Sequence, residues 1–220
     1  MDRKEFRAMQ VEETQRKRLA DYRRLNAFAR KGQIVFTGSS LMDFFPVNEL
    51  QQSLGVDACI YNRGVLGFVT TQLLEHIDVM ILDLAPSKLF INIGTNDIGR
   101  GLADRLMANY EAILRRVKEA LPDCAVYIMA YYPCNDLDDF GLSPEEHEIR
   151  FRTRNPESLL RANAELEKLA ARMGCRYVDA NAGLCDGRGR LRKEISLDGV
   201  HLRPDGYVPV LRNLKPYLEE

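Results

Sequence analysis

Apolar residues along this 220-residue chain fall into short continuous runs separated by stretches with a helical beat. The runs Ile34–Thr37, Ala58–Tyr61, Lys88–Ile93 and Ala125–Ala130 predict strands, and Arg176–Val178 predicts a shorter fifth. Their hydrophobicity is continuous rather than alternating, which indicates burial on both faces, as in a parallel sheet. Leu73, Leu74, Ile77 and Ile81 predict a helix over 69–84. Tyr110, Ile113, Leu114, Val117 and Leu121 predict one over 103–121, and Leu159, Leu160, Leu166 and Leu169 one over 156–173. A last helix opens at Pro204, a proline suited to a first turn, and runs toward Leu218. Pro209 removes a further backbone donor and should make its start irregular.

Ahead of the first strand, residues 3–30 lack Gly and Pro and read as a helix. Leu19, Tyr22, Leu25, Phe28 and Ala29 form its apolar stripe, and Lys31-Gly32 stops it. Strand–helix alternation with right-handed crossovers implies an α/β fold, a three-layer α/β/α sandwich around a parallel sheet of about five strands. The N-terminal helix is an addition to it. The chain therefore divides into a helical arm over 1–32, packed on the body or on a partner, and one domain over 33–220. The segment Tyr132–Asn155, with Pro133, Pro144 and a dense mix of charges, reads as a long loop over the site and a candidate partial lid.

Composition narrows the class. The 45% apolar fraction can build a sizeable core, and 29% charged residues suit a soluble surface. No stretch approaches the roughly 18 apolar residues needed to span a bilayer. Charges at the N-terminus, where a secretory signal would be apolar, point to the cytoplasm. The five cysteines (Cys59, Cys124, Cys134, Cys175 and Cys185) are scattered and form no C-x-x-C pair, so reduced thiols are expected and structural zinc is not. Residues 1–33 hold ten basic and five acidic residues, a balance of +5, while the remainder holds 21 and 27, a balance of −6. Without interleaved aromatics this is not read as a nucleic-acid arm. An exposed helix of mixed sign, resting on the acidic body or on a partner subunit, fits better, which makes it a candidate arm of a homodimer.

Four short motifs carry candidate chemistry: Gly38-Ser39-Ser40-Leu41, Asn62-Arg63-Gly64-Val65-Leu66-Gly67, Gly94-Thr95-Asn96-Asp97 and Asp198-Gly199-Val200-His201. The first three each follow a predicted strand, which is the rim where open α/β sheets bind ligands. A hydroxyl after a strand and a glycine can be presented as a nucleophile or can cap a helix. Ser39 and Ser40 both qualify on those grounds. A histidine base must be one of three. His76 falls in an apolar helical pattern and His147 among glutamates, whereas His201 follows Asp198 by three residues. That spacing lets one turn hold the carboxylate on Nδ1 and leaves Nε2 free to face a serine. The Asn96 amide and the Gly67 N–H are candidate donors to an oxyanion, while Asn62 and Gly64 are read as shaping their loop.

With this order and approximate spacing the chain resembles the SGNH, or GDSL-like, hydrolase superfamily from about Ile34 to the C-terminus. It is similar to the branch of bacterial lipases and acylhydrolases and the α-subunits of platelet-activating-factor acetylhydrolase. The resemblance implies a flavodoxin-like sandwich and a serine esterase without a metal or organic cofactor. It implies Ser40 as nucleophile, His201 as base, Asp198 as its orienting acid, and Ser40, Gly67 and Asn96 as oxyanion donors. The expected substrate is a small carboxylic ester with a short acyl group such as acetyl, on a carbohydrate or a lipid. Ser39 stands where the family has Asp, so a charge before the nucleophile is missing, though a serine there can accept hydrogen bonds within the turn. The alternative reading is a non-catalytic ligand-binding or scaffold protein on the same fold. A nucleotide-binding module would need a Gly-rich phosphate loop with Lys, which the chain lacks.

Overall fold

The two-sided burial demanded by the apolar runs is met by a five-stranded parallel sheet in the order β2-β1-β3-β4-β5. This is a computed structural model, and it describes residues 3–220. Helix α1 (Arg3–Asn26) leads into β1 (Ile34–Gly38), the short α2 (Ser40–Asp43), α3 (Val47–Ser53) and β2 (Ile60–Gly64). Then come α4 (Thr70–Glu75), α5 (Ile77–Met80), β3 (Lys88–Asn92), α6 (Thr95–Gly99), α7 (Ala103–Ala120) and β4 (Ala125–Met129). The chain finishes with α8 (Pro144–Phe151), α9 (Pro156–Arg172), β5 (Arg176–Val178) and α10 (Tyr207–Glu219). The strand order is that of the flavodoxin-like sandwich.

Alternate residues of each strand serve two separate cores. Val35, Leu89, Ile91, Val126 and Ile128 pack with α1, α4, α5, α7 and α9 on one face. Ile34, Phe36, Phe90, Tyr127 and Met129 pack with α2 and α10 on the other. The stacked Phe90 and Tyr127 rings, 4.4 Å between centroids, mark the middle of that second core. Burial on both faces explains why the strands read as unbroken apolar runs.

Three expectations need correction. The strand predicted at Ala58–Tyr61 runs instead from Ile60 to Gly64. Its polar half, Asn62 and Arg63, pairs with β1 through its own backbone on the edge of the sheet, so side-chain polarity hides it. The helix predicted over 69–84 breaks at His76 into α4, α5 and a 3-10 turn over Leu82–Leu84. Val79, Met80 and Ile81 are all buried, and three successive residues cover most of a helix circumference, so one straight helix could not bury them on one face. The supposed loop Tyr132–Asn155 contains α8, opened by a capping box in which Ser143 and Glu146 bond each other's backbone N–H and Pro144 takes the first turn.

Helix α1 ends at Asn26, four residues earlier than expected, and Leu25 and Phe28 stay exposed. It lies on the body. Leu19 and Tyr22 are buried, the Tyr22 hydroxyl donates to Gly64 O at 2.6 Å, and Asn26 Nδ2 donates to Val79 O at 2.8 Å. At the other end of the chain α10 follows a 3-10 turn over Pro204–Gly206, the irregular start that its prolines predict. Among the described residues no helix is long and apolar enough to cross a membrane.

The truncation Leu19→Ala removes a side chain seated in the first core without touching the rim of the sheet. It should cost about 2–5 kcal/mol in urea unfolding. A loss below ~1 kcal/mol would mean that α1 is not anchored there.

Candidate active site

The carboxyl ends of β1, β2 and β3 deliver the first three motifs to one rim. In this strand order β1 and β3 are neighbours whose following loops diverge, leaving a crevice between them. Ser40 lies two residues past the end of β1 on that rim and is buried. Gly38 lets β1 pass directly into the α2 turn, since a Cβ there would fall 2.0 Å from Asn92 O. A Cβ on Gly64 would fall 2.2 Å from Asp43 N, so Gly64 lets the same turn rest on β2. From the side, Asn62 Nδ2 donates to Met42 O at 2.6 Å and to Phe45 O at 3.1 Å. The Tyr207 hydroxyl donates to Leu41 O at 2.9 Å.

This turn separates the two serines. Ser39 is the N-cap residue of α2, fully buried, and its backbone carbonyl accepts from Met42 N and Asp43 N at 3.0 and 2.9 Å. Its hydroxyl has no partner among the described residues, against the expectation that it would accept hydrogen bonds within the turn. Ser40 is the first helical residue, where backbone N–H groups lack intrahelical acceptors. Its Oγ lies 2.9 Å from His201 Nε2.

His201 and Asp198 arrive from the other end of the chain, on a loop pinned by its own backbone. Leu197 N donates to His201 O at 2.8 Å, Gly199 N to Ser196 Oγ at 2.9 Å, and Asn135 N to Gly199 O at 2.7 Å. His201 Nδ1 lies 2.9 Å from Asp198 Oδ2, while Asp198 Oδ1 accepts from Val200 N and His201 N at 3.1 and 2.9 Å. Arg150 Nη1 donates to the same Oδ2. Burial alone would push the Asp198 carboxyl up. The hydrogen bond and charge of His201, its backbone N–H and Arg150 outweigh burial and hold the group well below the usual carboxylate range. Phe44 covers one side of the imidazole, its ring centroid 5.5 Å away.

The other two oxyanion candidates, Gly67 and Asn96, lie on the 65–68 loop and on α6, which a hydrogen bond joins. Asn96 Nδ2 donates to Phe68 O at 3.0 Å, and its Oδ1 accepts from Arg154 Nη2 at 3.1 Å. Arg154 also donates from Nε to Thr95 O at 2.9 Å. The amide is thus held with its oxygen on a cation and one N–H to spare. Desolvation, helped by repulsion from Arg150, lowers the Arg154 guanidinium to about 10, and it remains cationic at neutral pH. Gly67 has φ +74°, a conformation that disfavours any side chain. Arg100 Nη2 donates to its carbonyl at 2.9 Å. Asp97, next to Asn96, is fully enclosed and caps α4, accepting from Thr70 N and from Thr70 Oγ1 at 2.5 Å.

The other two histidines stand apart from this chain of contacts. His76 ends α4 with its ring 6.0 Å from Phe68, and His147, on α8, has its Nε2 2.9 Å from Asp136 O. Arg150 and Arg154 escaped the sequence reading, although the Ser-Pro-Glu-Glu start of α8 marks a helix that could deliver one of them. Among the described residues no three His, Cys, Asp or Glu side chains gather where they could hold a metal ion.

A hydroxyl bonded to an imidazole, bonded in turn to a half-buried carboxylate, is an assembly suited to acyl transfer. The chain belongs to the GDSL-like lipase/acylhydrolase family, whose model matches residues 41–208, and it is a carboxylic ester hydrolase. No curated protein matches the sequence. Among solved structures, a Streptococcus pneumonia protein described as a platelet activating factor is 31% identical over 97% of each chain, with a TM-score of 0.85. A GDSL-like lipase from Bacteroides thetaiotaomicron shares the fold at 21% identity and a TM-score of 0.71, covering 91% of this chain and 98% of that one. A catalytic mutant of an acetylxylan esterase from Geobacillus stearothermophilus shares it at 15% identity and 0.64, covering 87% and 96%.

The folded protein binds the Asp198 proton more weakly than the unfolded chain does. This carboxylate therefore stabilises the fold above the ordinary carboxylate range, and its contribution fades as pH falls below about 4. Thermal melts of wild type and Asp198→Asn should differ most at neutral pH and converge below that point. A gap that stays constant down to pH 3 would contradict the ionised assignment.

Proposed function

We propose that this hydrolase cleaves its ester through a covalent acyl-enzyme on Ser40. His201 Nε2 takes the hydroxyl proton as Ser40 Oγ bonds to the ester carbonyl carbon. The backbone N–H groups of Ser40 and Gly67 and the Asn96 amide receive the oxyanion. The carbon–oxygen bond to the alcohol then breaks, and the alcohol leaves with the proton from His201. A water repeats the sequence, losing a proton to His201 as it attacks the acyl carbon, and the acid departs as Ser40 regains its hydrogen. Asp198 holds the imidazole in the tautomer that this exchange needs. The observation that carries the reading is the unbroken relay of two 2.9 Å contacts from Ser40 Oγ through His201 to Asp198.

The proposed substrate carries a short acyl group such as acetyl, on a carbohydrate or lipid alcohol. What supports this is the polar character of α8, the element that reaches the relay through Arg150, rather than an apolar lid. The groove of about 460 Å³ beside α6 is lined by Ile98, Leu106 and Met107 and does not include Ser40 or His201. Five free cysteines favour the cytoplasm as the place of action.

Hydrolysis of p-nitrophenyl acetate by Ser40→Ala should drop to background, with stoichiometric fluorophosphonate labelling of wild type only. A Ser40→Ala enzyme working at the wild-type rate would end this reading. Asn96→Ala should stay folded and lose about 10²–10³ in kcat, the usual consequence of removing one oxyanion donor. Across p-nitrophenyl esters of increasing acyl length, kcat/KM should peak at acetyl, and a maximum at long chains would refute the short-acyl assignment.

A further inference from the structure

The 65–68 loop is gripped from a part of the chain that the family model does not cover. Gln15, on α1, is nearly buried, and its Nε2 donates to Leu66 O at 2.8 Å. Its Oε1 accepts from Gln72 Nε2 at 3.2 Å, and Gln72 Oε1 in turn accepts from Val69 N at 3.1 Å. On the other side of the same residue, Leu66 N donates to Asp43 Oδ2 at 3.0 Å. Arg18, also on α1, donates to Asp43 Oδ1 at 2.8 Å. Both backbone groups of Leu66 are thus tied to α1, one directly and one through Asp43.

The consequence follows from the planarity of the peptide group. In a trans peptide the C=O of one residue and the N–H of the next point in opposite directions. Turning Leu66 O onto Gln15 therefore turns the Gly67 N–H away from α1. That N–H donates to no atom of the described residues. A Cβ on Gly67 would stand 3.2 Å from Gln15 Nε2 and 3.4 Å from Val11 Cγ1, so α1 closes the loop on that side. An oxyanion hole depends on donors held in place before charge develops, and a peptide free to rock would spend that advantage.

We infer that Gln15 is a positioning residue for ester hydrolysis, and that the N-terminal helix aims the Gly67 N–H at the developing oxyanion. The inference rests on the oxyanion role given to Gly67 under Proposed function. It gives α1 a part in turnover, beyond its part in stability, and makes the hydrolytic site depend on a segment outside residues 41–208.

The test uses the full-length chain and p-nitrophenyl acetate, with kcat, KM and thermal midpoint measured for each variant. Gln15→Met removes donor and acceptor. Gln15→Glu keeps the acceptor for Gln72 and replaces the donor to Leu66 by a carboxylate oxygen, so it tests the same bond if the first variant does not fold. Each should lower kcat by about tenfold or more, less than outright loss of an oxyanion donor, with KM within about threefold. Val126→Ala, which removes two methyl groups from the first core at the amino end of β4, opposite the rim, should lower the midpoint and leave kcat within about twofold at 25 °C. Wild-type kcat in folded Gln15→Met or Gln15→Glu would overturn the inference. So would an equal fall in Val126→Ala, because the effect would then be one of packing. Ser40→Ala run alongside separates the cases: an active Ser40→Ala sinks the acyl-enzyme itself, whereas an inactive one beside a fully active Gln15→Glu sinks only the role of Gln15.

Discussion

The 2.9 Å contact between Ser40 Oγ and His201 Nε2 spans 161 positions of sequence, and the rim of the sheet is built around it. A hydrogen bond of that length tolerates little drift, so both segments that bear it must be stiff. Neither segment is long enough to be stiff alone. The Ser40 turn has four residues of helix and is fastened from β2 by Asn62 and from α10 by Tyr207. The His201 loop has no helix or strand of its own and is fastened by Ser196, by its own backbone, and by Asn135. Rigidity at the site is therefore a property of the neighbours of the two segments.

Charge is distributed around this contact in a way that serves both its ends. Arg150, in the last turn of α8, and Arg154, three residues past its end, reach different partners. The first bonds the acid behind the imidazole, and the second bonds the amide across the crevice. A single segment thus braces the carboxylate and the amide together, in a partly enclosed site where charge–dipole interactions are stronger than in water. Asp43 and Asp97 do comparable work on the opposite side. Desolvation raises both carboxyls, and that cost is offset in part by the Arg18 charge and the Leu66 N–H at Asp43 and by the Thr70 hydroxyl and N–H at Asp97.

The readability of each element follows from how it is held. Strands β1, β3 and β4 are legible because both of their faces are buried, which leaves no polar position from Ile34 to Phe36, from Leu89 to Ile91 or from Val126 to Met129 other than the Tyr127 hydroxyl. Strand β2 was half visible, because Asn62 and Arg63 join the sheet by backbone pairing that side chains do not report. Helix α8 carries its signal in its cap rather than in an apolar stripe, and dense charge concealed it. The break at His76 is set by how much of 77–84 must be covered from several directions, a requirement of the surrounding core that no periodicity within the segment expresses.

Sequence alone determined the chemical inventory and its order: a strand ending in glycine and serine, a glycine loop, an amide after the third strand, and an acid three residues before a histidine. These are local facts, encoded within a few residues by spacing and turn chemistry. Tertiary structure alone decided which of two adjacent hydroxyls meets the imidazole, which arginines reach the acid and the amide, and that Gln15 on α1 holds Leu66. Those outcomes depend on the directions of single bonds between segments far apart in the chain. Such directions are set only when both cores close on the sheet.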